Sequence, residues 1–173
     1  MEIPRITQDG EAVLRDVALP LPKELFGTQE LDQILSDMAL ALDGEKNGVA
    51  IAAPQIGVSY RIFLVRYDRI MPDPEEGQPA YPVSIGVYIN PEITKTSKRK
   101  VTLDEGCLSV AGIFGKTKRY ERATVVAYDR NGTKFERGGG GLLAQIFQHE
   151  TDHLNGTLFI DHATGLYERN IND

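Results

Sequence analysis

The sequence has one cysteine, no tryptophan and only three histidines in 173 residues. A single cysteine excludes an intrachain disulfide and fits a reducing compartment. No apolar run approaches the roughly 20 residues that a membrane-spanning helix needs. The stretch from Met1 to Gly10 holds no apolar segment of signal-peptide type. An excess of positive charge is missing as well: 19 basic against 25 acidic residues give a formal net charge of −6 and a pI near 5.1. A bulk electrostatic footprint for nucleic acid is therefore absent. The expectation is a soluble protein of the cytoplasm or an organellar matrix, with no DNA or membrane partner. Hydrophobic residues at 41% and charged residues at 25% are ordinary for a globular chain. The length suits one domain, residues 1–173, with a sizeable core.

Two of the three histidines stand four apart, in the run Gln148, His149, Glu150, Thr151, Asp152, His153. On a helix, residues four apart share a face, so both imidazoles can reach one metal ion while Glu150 stands beside the water it holds. The surroundings predict such a helix. Leu142, Ile146, His149 and His153 form one row at helical period, and Leu143, Phe147, Glu150 and Leu154 the adjacent row. Asn155 and Gly156 supply the stop. A pair of core histidines bonded to backbone carbonyls is the bland alternative.

Earlier in the chain, Thr28 is a plausible N-cap for a helix with its stripe at Leu31, Ile34, Leu35, Met38 and Leu42, ending near Gly44. Residues 48–57 are small, apolar and nearly uncharged, with one amide at Gln55. They read as a buried strand and tight bend, open to close approach by another backbone around Gly48, Val49, Ala50 and Ile51. Residues 61–65, 83–89 and 124–128 read as strands, and 67–82 as an exposed loop. Asn131 and Gly132 lie in a hairpin turn, and Gly138 to Gly141 form a flexible joint to the motif helix. The basic run between Ile93 and Val101 reads as an exposed strand or hairpin.

Two histidines leave a catalytic metal one protein ligand short. The metzincin pattern requires a third histidine six residues after His153, where Phe159 stands; His162 comes three residues too late. Glu168 is the one glutamate after the motif, in a short tail. The remaining strong donor is Cys107, between Gly106 and Leu108. Its thiolate suits iron(II), zinc, nickel or cobalt.

Three motifs together resemble the peptide deformylase family: the segment from Gly48 to Gln55, the run from Glu105 to Ser109, and the run from Gln148 to His153. The resemblance covers most of the chain. It implies an α+β fold with antiparallel strands packed around the C-terminal motif helix. It implies Cys107, His149 and His153 as metal ligands, normally for iron(II), and Glu150 as general base and then acid. It implies the Gln55 side chain and the Leu108 backbone N–H as holders of the formyl oxygen. The implied substrate is the N-formylmethionyl end of new polypeptides, and the product formate. Glu105 is expected to support a ligand by pairing with Arg119. Two positions depart from the family pattern: Ala50 replaces a usual glycine and Ala111 a usual proline. The first bears on substrate range and the second on the stiffness of the loop after Ser109.

Three rivals remain at this point. A zincin-type peptidase would keep its metal without Cys107. In a fold stapled by a structural ion, Glu150 would be idle. A ribosome-docking module would use the basic residues at 95–100 and 116–122. A monomer is the expected oligomeric state.

Overall fold

The computed structural model describes residues 3–169. The outermost residues of the expected 1–173 domain, Met1 among them, lie outside the described residues. Eight strands form two antiparallel sheets, with a helix on each face of the larger one. Helix α1 (Gln29–Gly44) is followed by β1 (Ala50–Ala52), β2 (Ile62–Arg66), a single turn α2 (Tyr67–Ile70) and β3 (Ile85–Thr96). Then come β4 (Lys100–Cys107), β5 (Val110–Tyr120), β6 (Arg122–Tyr128), β7 (Lys134–Gly140), α3 (Gly141–Leu154) and β8 (Thr164–Glu168). The five-stranded sheet runs β1-β2-β3-β6-β7 and the three-stranded sheet β4-β5-β8.

The alternation of side chains along each strand splits the core of the larger sheet in two. Ile51, Ile62, Leu64 and Ile89 face α1 and meet Leu31, Leu35, Met38 and Leu42. Ala50, Ala52, Phe63, Val65, Tyr88 and Val125 face the other way and meet Ala144, Ile146, Phe147 and Leu154 of α3. The Thr28 cap is present, its Oγ1 accepting from Leu31 N at 3.3 Å. The stop after His153 is present too. Gly156 has φ +73°, and a Cβ there would lie 2.3 Å from Arg15 O, so the position admits only glycine.

Several local expectations are corrected. Leu142, placed in the buried row, is 46% exposed, while Ala144 in the same turn of α3 is fully buried, so the buried face there lies to one side of Leu142. Gly138 to Gly140 are no loose joint; they pair with Thr124, Ala123 and Arg122 as the end of β7. The run 93–101 is exposed strand at the end of β3 and the start of β4, and the turn between them crosses from one sheet to the other instead of closing a hairpin. Asn90 bends β3 without ending it, with a register shift against β6 between Ile89 and Glu92. It takes φ +49° within the strand, and its amide bonds both Leu21 N (2.7 Å) and Leu21 O (3.1 Å), pinning the N-terminal segment.

Candidate active site

Three elements from distant parts of the sequence end at one place. Strand β1 leads into the tight bend that carries Gln55. Strand β4 ends at Cys107, where the turn through Leu108 and Ser109 opens into β5. Helix α3 lays His149 and His153 against both. The Cys107 Sγ and one ring nitrogen from each histidine lie within 4.8 Å of one another, with Sγ 3.2 Å from His153 Nε2. A thiolate and two imidazoles meeting at this spacing match the donor set of a catalytic zinc-type site, which leaves a position for water. The tautomer is set from behind. His149 Nδ1 lies 2.6 Å from Glu105 Oε1, which turns Nε2 toward Cys107.

Glu105 is itself clamped. Its Oε2 accepts from Thr117 Oγ1 at 2.8 Å, from Arg119 Nε at 3.0 Å and from Gln145 Nε2 at 3.2 Å. Arg119 reaches on to Asp152 Oδ2 at 2.7 Å. The expected Glu105–Arg119 pair is thus in place, as part of a larger network. Burial opposes ionisation of Glu105, but the hydrogen bonds from His149 and Arg119 outweigh it and hold the carboxyl well below its usual range. Burial likewise opposes charge on His149, yet the neighbouring Cys107 sulfur and Glu105 carboxylate raise its proton affinity well above the ordinary value. The field that attracts a proton to that ring attracts a cation as well.

Glu150 is buried, and its Oε2 has no hydrogen-bond partner. Burial pushes its carboxyl up to about 7. Gln55 is held at both ends of its amide. Oε1 accepts from Ala52 N at 2.8 Å, and Nε2 donates to Ser109 Oγ at 3.1 Å and points to Cys107 Sγ at 3.7 Å. The Thr7 backbone N–H donates to Gln55 O at 2.8 Å, tying the N-terminal segment to the bend. Leu108 turns its carbonyl to Gln8 Nε2 at 3.0 Å.

Strand β1 is the open edge of its sheet. Arg66 N donates to Val49 O, so the antiparallel alternation turns the backbone of Ile51 toward β2 and that of Ala50 outward. The extra methyl of Ala50 packs in the core shared with α3 and is 7% exposed. Gly48 is placed differently from its neighbours. Its carbonyl accepts from Arg69 Nη1 at 2.7 Å, and a Cβ there would lie 2.9 Å from Leu42 Cδ1. Gly106 lets the Phe114 ring lie against its Cα; a Cβ would meet that ring at 2.5 Å. Ala111 is exposed at the start of β5.

Sequence reasoning gave no role to Thr117, Gln145 or the fully buried Ser109, although Ser109 closes the run that begins at Glu105. A signal existed for one of them: Thr117 and Arg119 are two apart on a strand and so share the face that meets Glu105. Ser109 and Gln145 became visible only with the tertiary contacts.

A family model described as polypeptide deformylase matches residues 3–169. The peptide deformylase of Hydrogenovibrio crunogenus is 39% identical over 153 residues, covering 88% of this chain and 81% of that one. Solved structures of a class I type b peptide deformylase from Acinetobacter baumannii, one bound to actinonin and one to Met-Ala-Ser, each align with a TM-score of 0.81. Their identities are 32% and 33%, over 95% and 94% of this chain and all of theirs. With the motifs, the fold and the converging donors in agreement, the chain belongs to the polypeptide deformylase family, metal-dependent hydrolases that remove the formyl group from the N-termini of newly made polypeptides.

Proposed function

We propose that Cys107, His149 and His153 hold one divalent ion, iron(II) in the cell, with zinc, nickel or cobalt able to substitute, and that Glu150, Gln55 and Leu108 act on the substrate beside it. One observation carries this reading: a sulfur and two imidazoles converge within 4.8 Å next to a buried carboxylate oxygen that has no partner. An ion in that donor set supplies Lewis acidity, lowering the pKa of a water from about 15.7 toward roughly 7.

Glu150 carries the proton. Its carboxylate takes one from the attacking water and returns it to the amine that leaves as formate forms. A carboxyl with its pKa near neutrality is suited to both halves of that task. Gln55 Nε2 and the Leu108 N–H donate to the formyl oxygen as negative charge develops there. Because Ala52 N holds the other end of the Gln55 amide, the donor is aimed before substrate arrives. Glu105 and Arg119 act through His149 by fixing its ring.

The peptide is read as an added strand. Ala50 offers its amide and carbonyl on the open edge of β1, and Val49, Ile51 and Gly106 border the path. Strand β4 is also an edge of its sheet and runs into the same site, so an extended chain fits between the two. The methionine side chain falls beside half-buried Val49. Gly48 supports this path by letting α1 approach. Residues 1–173 act as one catalytic domain and as a monomer, in the cytoplasm or an organellar matrix, with transient contact to the ribosome where formylated chains emerge. Among the described residues no helix is long and apolar enough to cross a membrane.

The test is formate release from formyl-Met-Ala-Ser, with protein prepared anaerobically with iron(II) and again with nickel. Rapid release is expected, absent with the acetylated peptide and in Glu150→Ala. Full release by Glu150→Ala would remove its role as proton carrier. Metal analysis of Cys107→Ala is the second arm: an ion still bound would point to a zincin-type site in place of this one.

A further inference from the structure

The two faces of the three-stranded sheet differ. Glu105, Thr117 and Arg119 turn inward, where they meet one another and α3. By alternation Asp104 and Gly106 of β4, and Phe114 and Lys116 of β5, turn outward. An outward sheet face ordinarily carries polar side chains. Here it carries two rings. Gly106 pairs with Phe114 and Phe114 with Tyr167, across β4, β5 and β8. The Phe114 and Tyr167 rings stack, with centroids 6.0 Å apart and 25° between their planes. Phe114 is half-buried and Tyr167 is 41% exposed, so both remain open to solvent. Both also lean toward the edge strand β4. The Phe114 ring lies against the Cα of Gly106, where any side chain would collide with it. The Tyr167 hydroxyl reaches past β5 to donate to Asp104 Oδ1 at 3.3 Å. Lys116 Nζ holds the other oxygen of Asp104 at 2.7 Å and so fixes that anchor.

In the function proposed above, an extended peptide lies between the edges of β1 and β4 with its formyl end at Cys107. Successive side chains of an extended chain point to opposite faces. The methionine side chain goes inward, to the face that Glu105 shares with α3. The side chain of the next residue then goes outward, to the face of Gly106. Gly106 has no side chain to meet it, and the surface it finds is the ring that Gly106 admits.

We propose, resting on that substrate path, that Phe114 backed by Tyr167 determines specificity at the second residue of the peptide, and that it favours a large apolar or aromatic side chain there. Such a side chain, laid on the Phe114 ring, removes apolar area of both groups from water. An aromatic one adds the offset or edge-to-face contact that ring pairs prefer. Alanine at the second position is too short to cover the ring. Charge offers less to recognise on this face. Asp104 is engaged by Lys116 and by Tyr167, and the Arg169 guanidinium lies 6.0 Å from the centroid of the Phe114 ring. The rings touch neither the metal donors nor Glu150, so they act on which peptide is held and not on the chemistry at its formyl group.

The experiment measures formate release by the full chain, loaded with nickel, from formyl-Met-Phe-Ser, formyl-Met-Ala-Ser and formyl-Met-Glu-Ser. For the parent, kcat/KM on the phenylalanine peptide is expected to exceed that on the alanine peptide about 10-fold. The difference should lie in KM and not in kcat, because the contact is the same in ground and transition states. Phe114→Ala is expected to bring the ratio down to about 1, and Phe114→Tyr, which keeps the ring, to retain most of it. Tyr167→Ala, which removes only the backing, should leave a ratio of about 3. A purely structural Phe114 would predict a different pattern: its loss would disturb Gly106 and lower both peptides by one factor, leaving the ratio unmoved. That pattern would overturn the proposal, as would a parent ratio near 1. A preference for glutamate over phenylalanine would overturn it in favour of the cations Lys116 and Arg169. Release without discrimination sinks this proposal alone, whereas no release from any of the three peptides by metal-loaded protein sinks the deformylase reading and this proposal with it.

Discussion

Helix α3 has two long sides that do opposite work. Toward the five-stranded sheet it presents Ala144, Phe147 and Leu154, packed without polar partners. Phe147 lies 5.4 Å from the Tyr88 ring and 6.3 Å from that of Phe63. Toward the three-stranded sheet it presents Gln145, Gln148, His149 and Asp152, at i, i+3, i+4 and i+7. Each of these is tied to the β4-β5 hairpin: Gln145 and His149 to Glu105, Gln148 to the backbone of Tyr120, Asp152 to Arg119. The side chains of the dry side make no directional bonds and gain from area removed from water. The wet side must first overcome the cost of burying charge, which its hydrogen bonds do little more than offset. The dry side therefore supplies most of the stability, and the wet side fixes atoms in position. Function sits on the wet side because chemistry needs placement more than it needs net stability.

That division can be broken at either side. The largest effect is expected from Glu150→Gln, which keeps the shape but removes the proposed proton carrier. Formate release should fall about 10³- to 10⁴-fold, while the melting temperature holds or rises because a buried carboxyl has become neutral. A melt lowered by several degrees would mean that Glu150 contributes to the fold. Phe147→Ala is the mirror case. Cutting a fully buried ring from the dry side should cost about 3–4 kcal/mol, read by denaturant unfolding. Formate release per folded, metal-loaded molecule should change little. Activity lost beyond the unfolded fraction would show that the two sides are not separable.

What could be read from the sequence follows the same division. The proposed metal donors and Glu150 were legible for different reasons: the histidines and Glu150 by their spacing on a helix, and Cys107 as the remaining strong donor, in a run that resembles the family. The dry side was legible as apolar residues at helical period, except at Leu142, which falls in the periodic row and is 46% exposed. The wet side was mostly hidden. Gln145 and Ser109 look like ordinary polar residues until β4 and β5 are folded against α3. The partition into two sheets was hidden as well, since the crossover at 97–99 resembles a hairpin turn and only long-range pairing assigns β3 and β4 to different sheets. Strand β8, with all five residues exposed, offers no alternation to read. Ala50 is instructive in another way: its methyl was expected to bear on substrate range, and the pleat of β1 turns it into the core.

A smaller effect should follow from loosening the wet side without touching a ligand. In Glu105→Gln the amide still meets His149 but no longer carries the charge that Arg119 neutralises. Metal affinity is expected to fall about 10- to 100-fold, read by competition with a chelator. At saturating metal much of the formate release should return. An unchanged affinity would mean that His149 is oriented by packing alone.

The smallest effect concerns a buried ion pair that lies away from the metal and so isolates what such a pair contributes. Asp68 accepts from Arg66 Nε at 2.9 Å and from Nη2 at 2.8 Å, with both side chains under a tenth exposed. The Arg66 guanidinium holds the Asp68 carboxyl below the usual carboxylate range. A carboxyl with a depressed folded-state pKa contributes stability above its unfolded value, near 4, and loses it as the pH falls through the folded one. Asp68→Asn should therefore lower stability by about 1–2 kcal/mol at neutral pH, less than a fully broken pair costs because Arg66 keeps Asp43. The gap between parent and variant should narrow below about pH 4, where the parent is losing the same interaction. Melting curves from pH 7 down to pH 3 would show it. A gap that stayed constant with pH would mean that Asp68 acts through its bond to Ser84 N and not through its charge, and that even the buried pairs of this fold are held for position.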